Sequence, residues 1–200
     1  MSSPHRYFIL NKPYNMVSQF VSSHAVNLLG DMGFPFPEGI HAIGRLDNLS
    51  EGLLLLTTNK KITRLLFEGA IPHKRTYLVL VNNAVTEERL QQLRNGVRFR
   101  IRGGEYYTSI PCEAEIIDNP SLSFASPYIM TDKIPYTWLR ITLTEGKFHQ
   151  VRKMVAAIHH RCKRLIRVSI EDLVLGDLQP GAIKEIAEED FFRLLKLKPD

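Results

Sequence analysis

The run Gly52-Leu53-Leu54-Leu55-Leu56-Thr57-Thr58-Asn59 constrains this chain of 200 residues more than any other segment. It carries no charge and is far shorter than the ~20 residues a membrane span requires. Turn residues bound it, so Leu53 to Thr58 is expected to be a buried strand. Strand patterns recur at Arg6 to Leu10, His41 to Leu46, Arg75 to Val81, Val97 to Ile101, Cys112 to Ile117, Tyr136 to Thr144 and Arg164 to Ile170. Met16 to Phe20 is expected to return beside the first strand across the Asn11-Lys12-Pro13 turn, where Pro13 bars a helix. Gly103-Gly104 suits a hairpin turn.

Helices are fewer. Asn59 suits an N-cap for the stripe Ile62, Leu65, Leu66, with Gly69 as a C-terminal cap. Thr86-Glu87-Glu88 opens a helix that Gly96 ends. Val151, Met154, Val155 and Ile158 recur at i, i+3, i+4, i+7 and form one face of a helix over 150–159. Ala187 to Leu197 is expected to close the chain as an amphipathic helix. The stretch holding Gly30, Gly33, Pro35, Pro37 and Gly39 predicts a loop, and 118–135 predicts a long one, of the kind that is usually functional or mobile. Strands outnumber helices and are often hairpin-linked, so the expected class is α+β with a central, largely antiparallel or mixed sheet flanked by helices. One continuous domain over 1–200 is expected, with a split into two lobes sharing one sheet left open.

Charge narrows the function. The formal net charge is +5, yet residues 1–170 hold 22 basic and 13 acidic side chains while 171–200 hold 4 and 8. Between Arg140 and Ile170 eight Lys/Arg face Glu145 alone, a net of +7 that suits phosphate contacts or a solvated basic face. Lys147 precedes a helix start whose N–H groups can also receive a phosphate. Cys112 and Cys162 lie far apart with no CxxC pair, which fits reduced thiols in a cytoplasmic protein. No signal-peptide core appears, so neither processing nor a membrane is expected. His159, His160 and Cys162 match no common zinc spacing, and no metal is expected.

Gly44-Arg45-Leu46-Asp47-Asn48-Leu49-Ser50-Glu51-Gly52 is the segment most suggestive of chemistry. An extended backbone at 44–47 puts Arg45 and Asp47 on one side and Leu46 on the other. A neighbouring arginine favours the ionised form of a carboxylate, and an Asp at a strand end before a tight turn can act as nucleophile or base. An exposed Arg-Asp pair gives the same spacing, and Asp47 with Glu51 could also form a glycosidase pair.

Read with Asn11-Lys12-Pro13, Lys74-Arg75-Thr76-Tyr77 and Glu145-Gly146-Lys147-Phe148-His149-Gln150-Val151-Arg152-Lys153-Met154, the segment resembles the pseudouridine synthases of the RsuA branch, in order and spacing over roughly residues 6–180. Four motifs in order are far more specific than one. The resemblance implies an enzyme that detaches uridine from ribose and reattaches it through C5. That chemistry needs a carboxylate and no cofactor. On this resemblance Asp47 is catalytic, Arg167 pairs with it, Tyr77 packs against the target base, and Arg45 supports the site. From pattern alone, Tyr77 could equally be a sheet-core residue and Arg167 a solvated one. Lys12, Lys147, His149, Gln150, Arg152 and Lys153 are the expected RNA contacts.

The implied partner is ribosomal RNA, with the large subunit favoured. Many relatives carry an S4-type domain before the catalytic one, whereas here Asn11-Lys12-Pro13 starts almost at Met1, so a catalytic domain alone and a monomer are expected. The branch often has Gly after the strand's last Ile, where this chain has Glu171. A non-catalytic RNA-binding or ribosome-assembly factor with the same fold is the alternative.

Overall fold

A computed structural model describes residues 4–67, 69, 71–120, 122, 124–127 and 133–198. The strands are β1 (Tyr7–Lys12), β2 (His41–Ile43), β3 (Glu51–Thr57), β4 (Arg75–Asn82), β5 (Arg98–Arg100), β6 (Tyr106–Thr108), β7 (Glu113–Ile117), β8 (Tyr136–Leu143), β9 (Cys162–Ile170), β10 (Leu173–Val174) and β11 (Ile183–Ile186). The helices are α1 (Ile62–Phe67), α2 (Glu87–Asn95), α3 (Gln150–Ala157) and α4 (Glu188–Leu194). This is the α+β class expected. The chain divides into two compact units, residues 1–73 with 167–200 and residues 74–166.

In the first unit the Leu53-Leu56 run lies in β3, every residue of which is buried. β1 is buried along its whole length and pairs antiparallel with β3 on one side and β11 on the other. Tyr7 carries α4 on its ring: the Phe191 centroid is 4.6 Å away and that of Phe192 5.9 Å, while the Tyr7 hydroxyl donates to Glu188 at 2.6 Å. Burial, together with that carboxylate, pushes the Tyr7 hydroxyl up to about 12.

Three expectations change here. Met16 to Phe20 forms no strand; Met16 makes only an isolated bridge to Asn27. The cause lies in Lys12, whose buried ammonium draws the Pro13 and Met16 carbonyls around itself and curls the chain away from β1. The vacant side of β1 is taken by β11, a strand of only four residues whose two Ile flank Lys184 and Glu185 without the period-two alternation that announces a strand. The stretch around Gly30, expected to be loop, holds one 3-10 turn over Leu29–Met32.

Glu171 supplies the conformation that Gly usually provides. Its φ is +47, a left-handed value costing a non-glycine residue about 1 kcal/mol or more. The carboxylate offsets this by lying 3.4 Å from His73 Nδ1 and 3.0 Å from Lys196 Nζ, almost fully buried.

In the second unit β8 lies between β4 and β7, both antiparallel to it. Leu139, Ile141 and Leu143 face a core that holds Val79, Val81, Leu90, Leu93 and Phe99, and Arg140 points out. The α3 face closes it as the periodicity predicts: Val151, Met154, Val155 and Ile158 are buried. Thr86 caps α2 by accepting from the Arg89 N–H at 3.3 Å, and Gly96 follows its end. Gly103 and Gly104, both at positive φ, turn β5 into β6. Of the long loop expected over 118–135, residues 121, 123 and 128–132 lie outside the described residues, and the others carry no regular element.

Candidate active site

The Asp47 turn belongs to the first unit. Its tightest element is the Ser50 N–H donating to the Asp47 carbonyl at 2.9 Å, so the turn spans 47–50, and Glu51 and Gly52 already belong to β3. Glu51 is buried at 3% exposure, in contrast to half-buried Asp47. Leu46 points inward and Arg45 outward, as alternation requires. The Ser18 hydroxyl accepts from the Leu46 N–H and donates to the Leu46 carbonyl, both at 2.9 Å. Gly44 has φ +69, and a Cβ there would sit 2.8 Å from the Phe67 ring, so a side chain at this position would strain the backbone and displace that ring.

Lys12 is corrected from RNA contact to scaffold. Its side chain is 0% exposed, and Nζ donates to the carbonyls of Pro13 at 2.8 Å, Met16 at 2.6 Å and Asn48 at 3.4 Å. A buried ammonium needs such acceptors, and here they lie on both segments that frame Asp47. Asn48 Nδ2 donates to Asn15 Oδ1 at 3.2 Å, adding a second tie between them. Arg167 is likewise buried, at 2%, with Nε donating to the Leu53 carbonyl at 2.8 Å on the strand that leaves the turn. Arg45, Asp47 and Arg167 therefore share the first unit.

Tyr77, Lys147, His149, Gln150, Arg152 and Lys153 belong to the second. Tyr77 is half-buried on β4 opposite Ile141 and packs against the core cluster. Gln150 is also corrected. It is buried, accepts from the Lys147 N–H at 2.7 Å and donates to Glu145 at 2.5 Å, so its amide shapes the loop rather than meeting RNA. Glu145 further accepts from the Ile110 N–H at 3.1 Å and from the Tyr107 hydroxyl, a bond that pushes Tyr107 up to about 12. Lys147 Nζ lies 4.8 Å from the Tyr107 ring centroid.

His149 opens α3 at φ +56, stacked on exposed Phe148 at 3.8 Å, and Lys153 Nζ lies 5.4 Å from the same ring. Arg152, His159, His160 and Arg161 line one cleft of about 430 Å³ near the end of α3. Not all of the +7 run reaches solvent as free charge. Arg140 is paired with Glu115 at 2.6 Å, and Arg164 is buried over Phe124 with Nη2 donating to Ala125. Ser18 and Tyr107 escaped the sequence reading because each acts on a residue 28 or more positions away. Among the described residues no group of three or more His, Cys, Asp and Glu is placed to hold a metal, and no helix is long and apolar enough to cross a membrane.

The family model for RNA pseudouridylate synthase matches residues 6–157. The chain is 39% identical over 182 residues to ribosomal large subunit pseudouridine synthase E of Vibrio parahaemolyticus, covering 90% of this chain and 74% of that one. It is 38% identical to the protein of the same name from Xanthomonas axonopodis pv. citri, over 86% of this chain and 89% of the relative. A crystal structure of a pseudouridylate synthase superposes with a TM-score of 0.77 at 27% identity, over 96% of this chain and 74% of the other. With these matches the chain belongs to the RNA pseudouridylate synthase family as an RNA pseudouridine synthase of the RsuA branch.

Proposed function

We propose that this chain converts one uridine of large-subunit ribosomal RNA to pseudouridine, with Asp47 as the catalytic carboxylate. The N1–C1′ bond breaks, the freed uracil turns, C5 bonds to C1′, the C5 proton leaves and N1 gains one, so atoms balance without oxidant, donor or cofactor. The observation that carries the reading is the Asp47 turn. The backbone carbonyl of half-buried Asp47 accepts from the Ser50 N–H, while its neighbours Leu46 and Asn48 are fixed by Ser18 and Lys12. Such fixing places a reacting group without a reorganisation cost at the moment of reaction. Arg167, held on the Leu53 carbonyl of the strand that leaves the turn, is the partner proposed for Asp47, and Arg45 supports the turn from its exposed side.

The target base must leave its stack before its ring and sugar can be reached, and Tyr77 receives the extruded base on its ring. Lys147, His149, Arg152 and Lys153 hold phosphates of the substrate, with affinity that depends on salt. The names of the relatives support the large subunit as the source of the substrate. Carbodiimide modification and primer extension on protein-free large-subunit RNA, incubated with and without the protein, test this. A single new stop is expected. RNA binding with no new stop would make the chain a binding module, and release of free uracil would make it a hydrolase.

A further inference from the structure

The β5–β6 hairpin carries a second charged face that the reading above leaves unused. Its register sets Arg98 opposite Thr108 and Arg100 opposite Tyr106, with Phe99 and Tyr107 on the other side. Phe99 is buried and its ring meets Tyr107 at 5.8 Å, which anchors the inner side to the core. The outer side is open: Arg98 and Arg100 are exposed, and Tyr106 is 58% exposed. Both guanidiniums lie on the Tyr106 ring, at 4.2 Å for Arg98 and 5.6 Å for Arg100. Arg102 follows, exposed, in the turn.

The contrast with the rest of this unit decides what the face is for. Lys74, Arg94 and Arg140 are each neutralised by a carboxylate within 2.7 Å. Among the described residues no carboxylate pairs with Arg98, Arg100 or Arg102. A guanidinium held on a tyrosine face keeps its planar fork of donors aimed outward, and that fork matches phosphate oxygens two at a time. Arginines two positions apart on one strand face lie roughly 7 Å apart, so they can follow one nucleic-acid strand. The hairpin is also continuous with the α3 loop, because Tyr107 bonds Glu145 and lies under Lys147.

We propose that Arg98, Arg100 and Tyr106 form a clamp for the phosphodiester backbone of the substrate RNA outside the reacting nucleotide. The proposal rests on the RNA chemistry given above, and its test is arranged to fail separately from that reading. Binding of a fluorescein-labelled, mixed-sequence single-stranded RNA is measured across a salt series for the wild type, R98A/R100A, R98K/R100K and R193A/K198A. The last pair removes the same charge from the closing helix region.

Losing two phosphate contacts should lower the slope of log affinity against log salt by roughly 1.4 in R98A/R100A. R98K/R100K should keep most of the slope, and R193A/K198A should match the wild type. In R98A/R100A the loss should appear as a raised KM for RNA and fall less on kcat, since the clamp touches no reacting atom. In the unsubstituted protein, RNA should slow phenylglyoxal modification of Arg98 and Arg100 severalfold relative to Arg193. An unchanged slope in R98A/R100A, an equal loss in R193A/K198A, or no protection of Arg98 and Arg100 overturns the clamp. A wild type that binds with the full slope yet makes no pseudouridine leaves the clamp standing and removes the catalytic reading instead. Saturation of the face by an acidic peptide in preference to RNA would assign it to a protein partner and overturn it too.

Discussion

Lys12 and Lys153 come from two motifs of one family pattern, yet they live in opposite surroundings. Lys12 is wholly buried and spends its three donors on backbone carbonyls beside the Asp47 turn. Lys153 is partly exposed, its ammonium near the face of an exposed Phe148. The same residue type is buried scaffold in one unit and partly exposed in the other. On the proposed reading, charge beside Asp47 fixes geometry, and charge along α3 and the β5–β6 hairpin meets phosphates.

The largest effect that sharpens this contrast is expected at Asp47 itself. Asp47→Asn should cut product formation by about a thousandfold or more, while affinity for RNA stays within about twofold, as single-turnover kinetics and fluorescence titration would record. Equal losses in both would place Asp47 on the binding surface and erase the distinction.

Lys12→Met comes next. It leaves buried carbonyls without their donor and should cost about 3 kcal/mol of stability, read from denaturant unfolding. The salt slope for RNA should not change. A stable Lys12→Met protein with a reduced slope would return Lys12 to the RNA face.

The thiols separate the units by pH. Cys112 and Cys162 both lie in the 74–166 unit, and burial pushes each up to about 11. A thiol raised on folding stabilises fully below its ordinary value near 9, and that contribution is lost as pH rises to about 11. Together they should remove of order 4 kcal/mol over that window, and C112A/C162A should flatten the loss. At neutral pH neither thiol should react quickly with iodoacetamide. The first unit has Tyr7, which carries its own loss higher, between 10 and about 12. Hydrogen exchange should therefore show β7 opening before β1 as pH rises past 9.

The smallest effect belongs to Lys153→Ala. The unfolding midpoint should not move, and the salt slope should fall by about 0.7, one phosphate contact for single-stranded RNA. A drop in stability instead would make Lys153 a second Lys12.

What the sequence disclosed follows the range of the forces involved. The β3 strand, the α3 face and the Gly103-Gly104 hairpin were legible because periodicity and turn chemistry are local. The inward Leu46 between Arg45 and Asp47 followed from strand alternation. The β11 partner of β1 was hidden because Ile183–Ile186 alternates weakly and sits more than 170 positions away. Lys12 and Gln150 looked like surface residues because most lysines and glutamines are, and only the tertiary structure supplies the carbonyls and carboxylate that allow their burial. Glu171 announced itself as a departure from glycine, but the His73 and Lys196 partners that make it tolerable come from distant segments.

The central claim is that the chain makes pseudouridine in large-subunit RNA through Asp47. Large-subunit RNA from cells lacking the protein is mapped by carbodiimide and primer extension, then again after restoring either the wild type or Asp47→Asn at equal levels. One stop should vanish on deletion, return with the wild type and stay absent with Asp47→Asn; an unchanged pattern on deletion, or a stop restored by Asp47→Asn, would contradict the account.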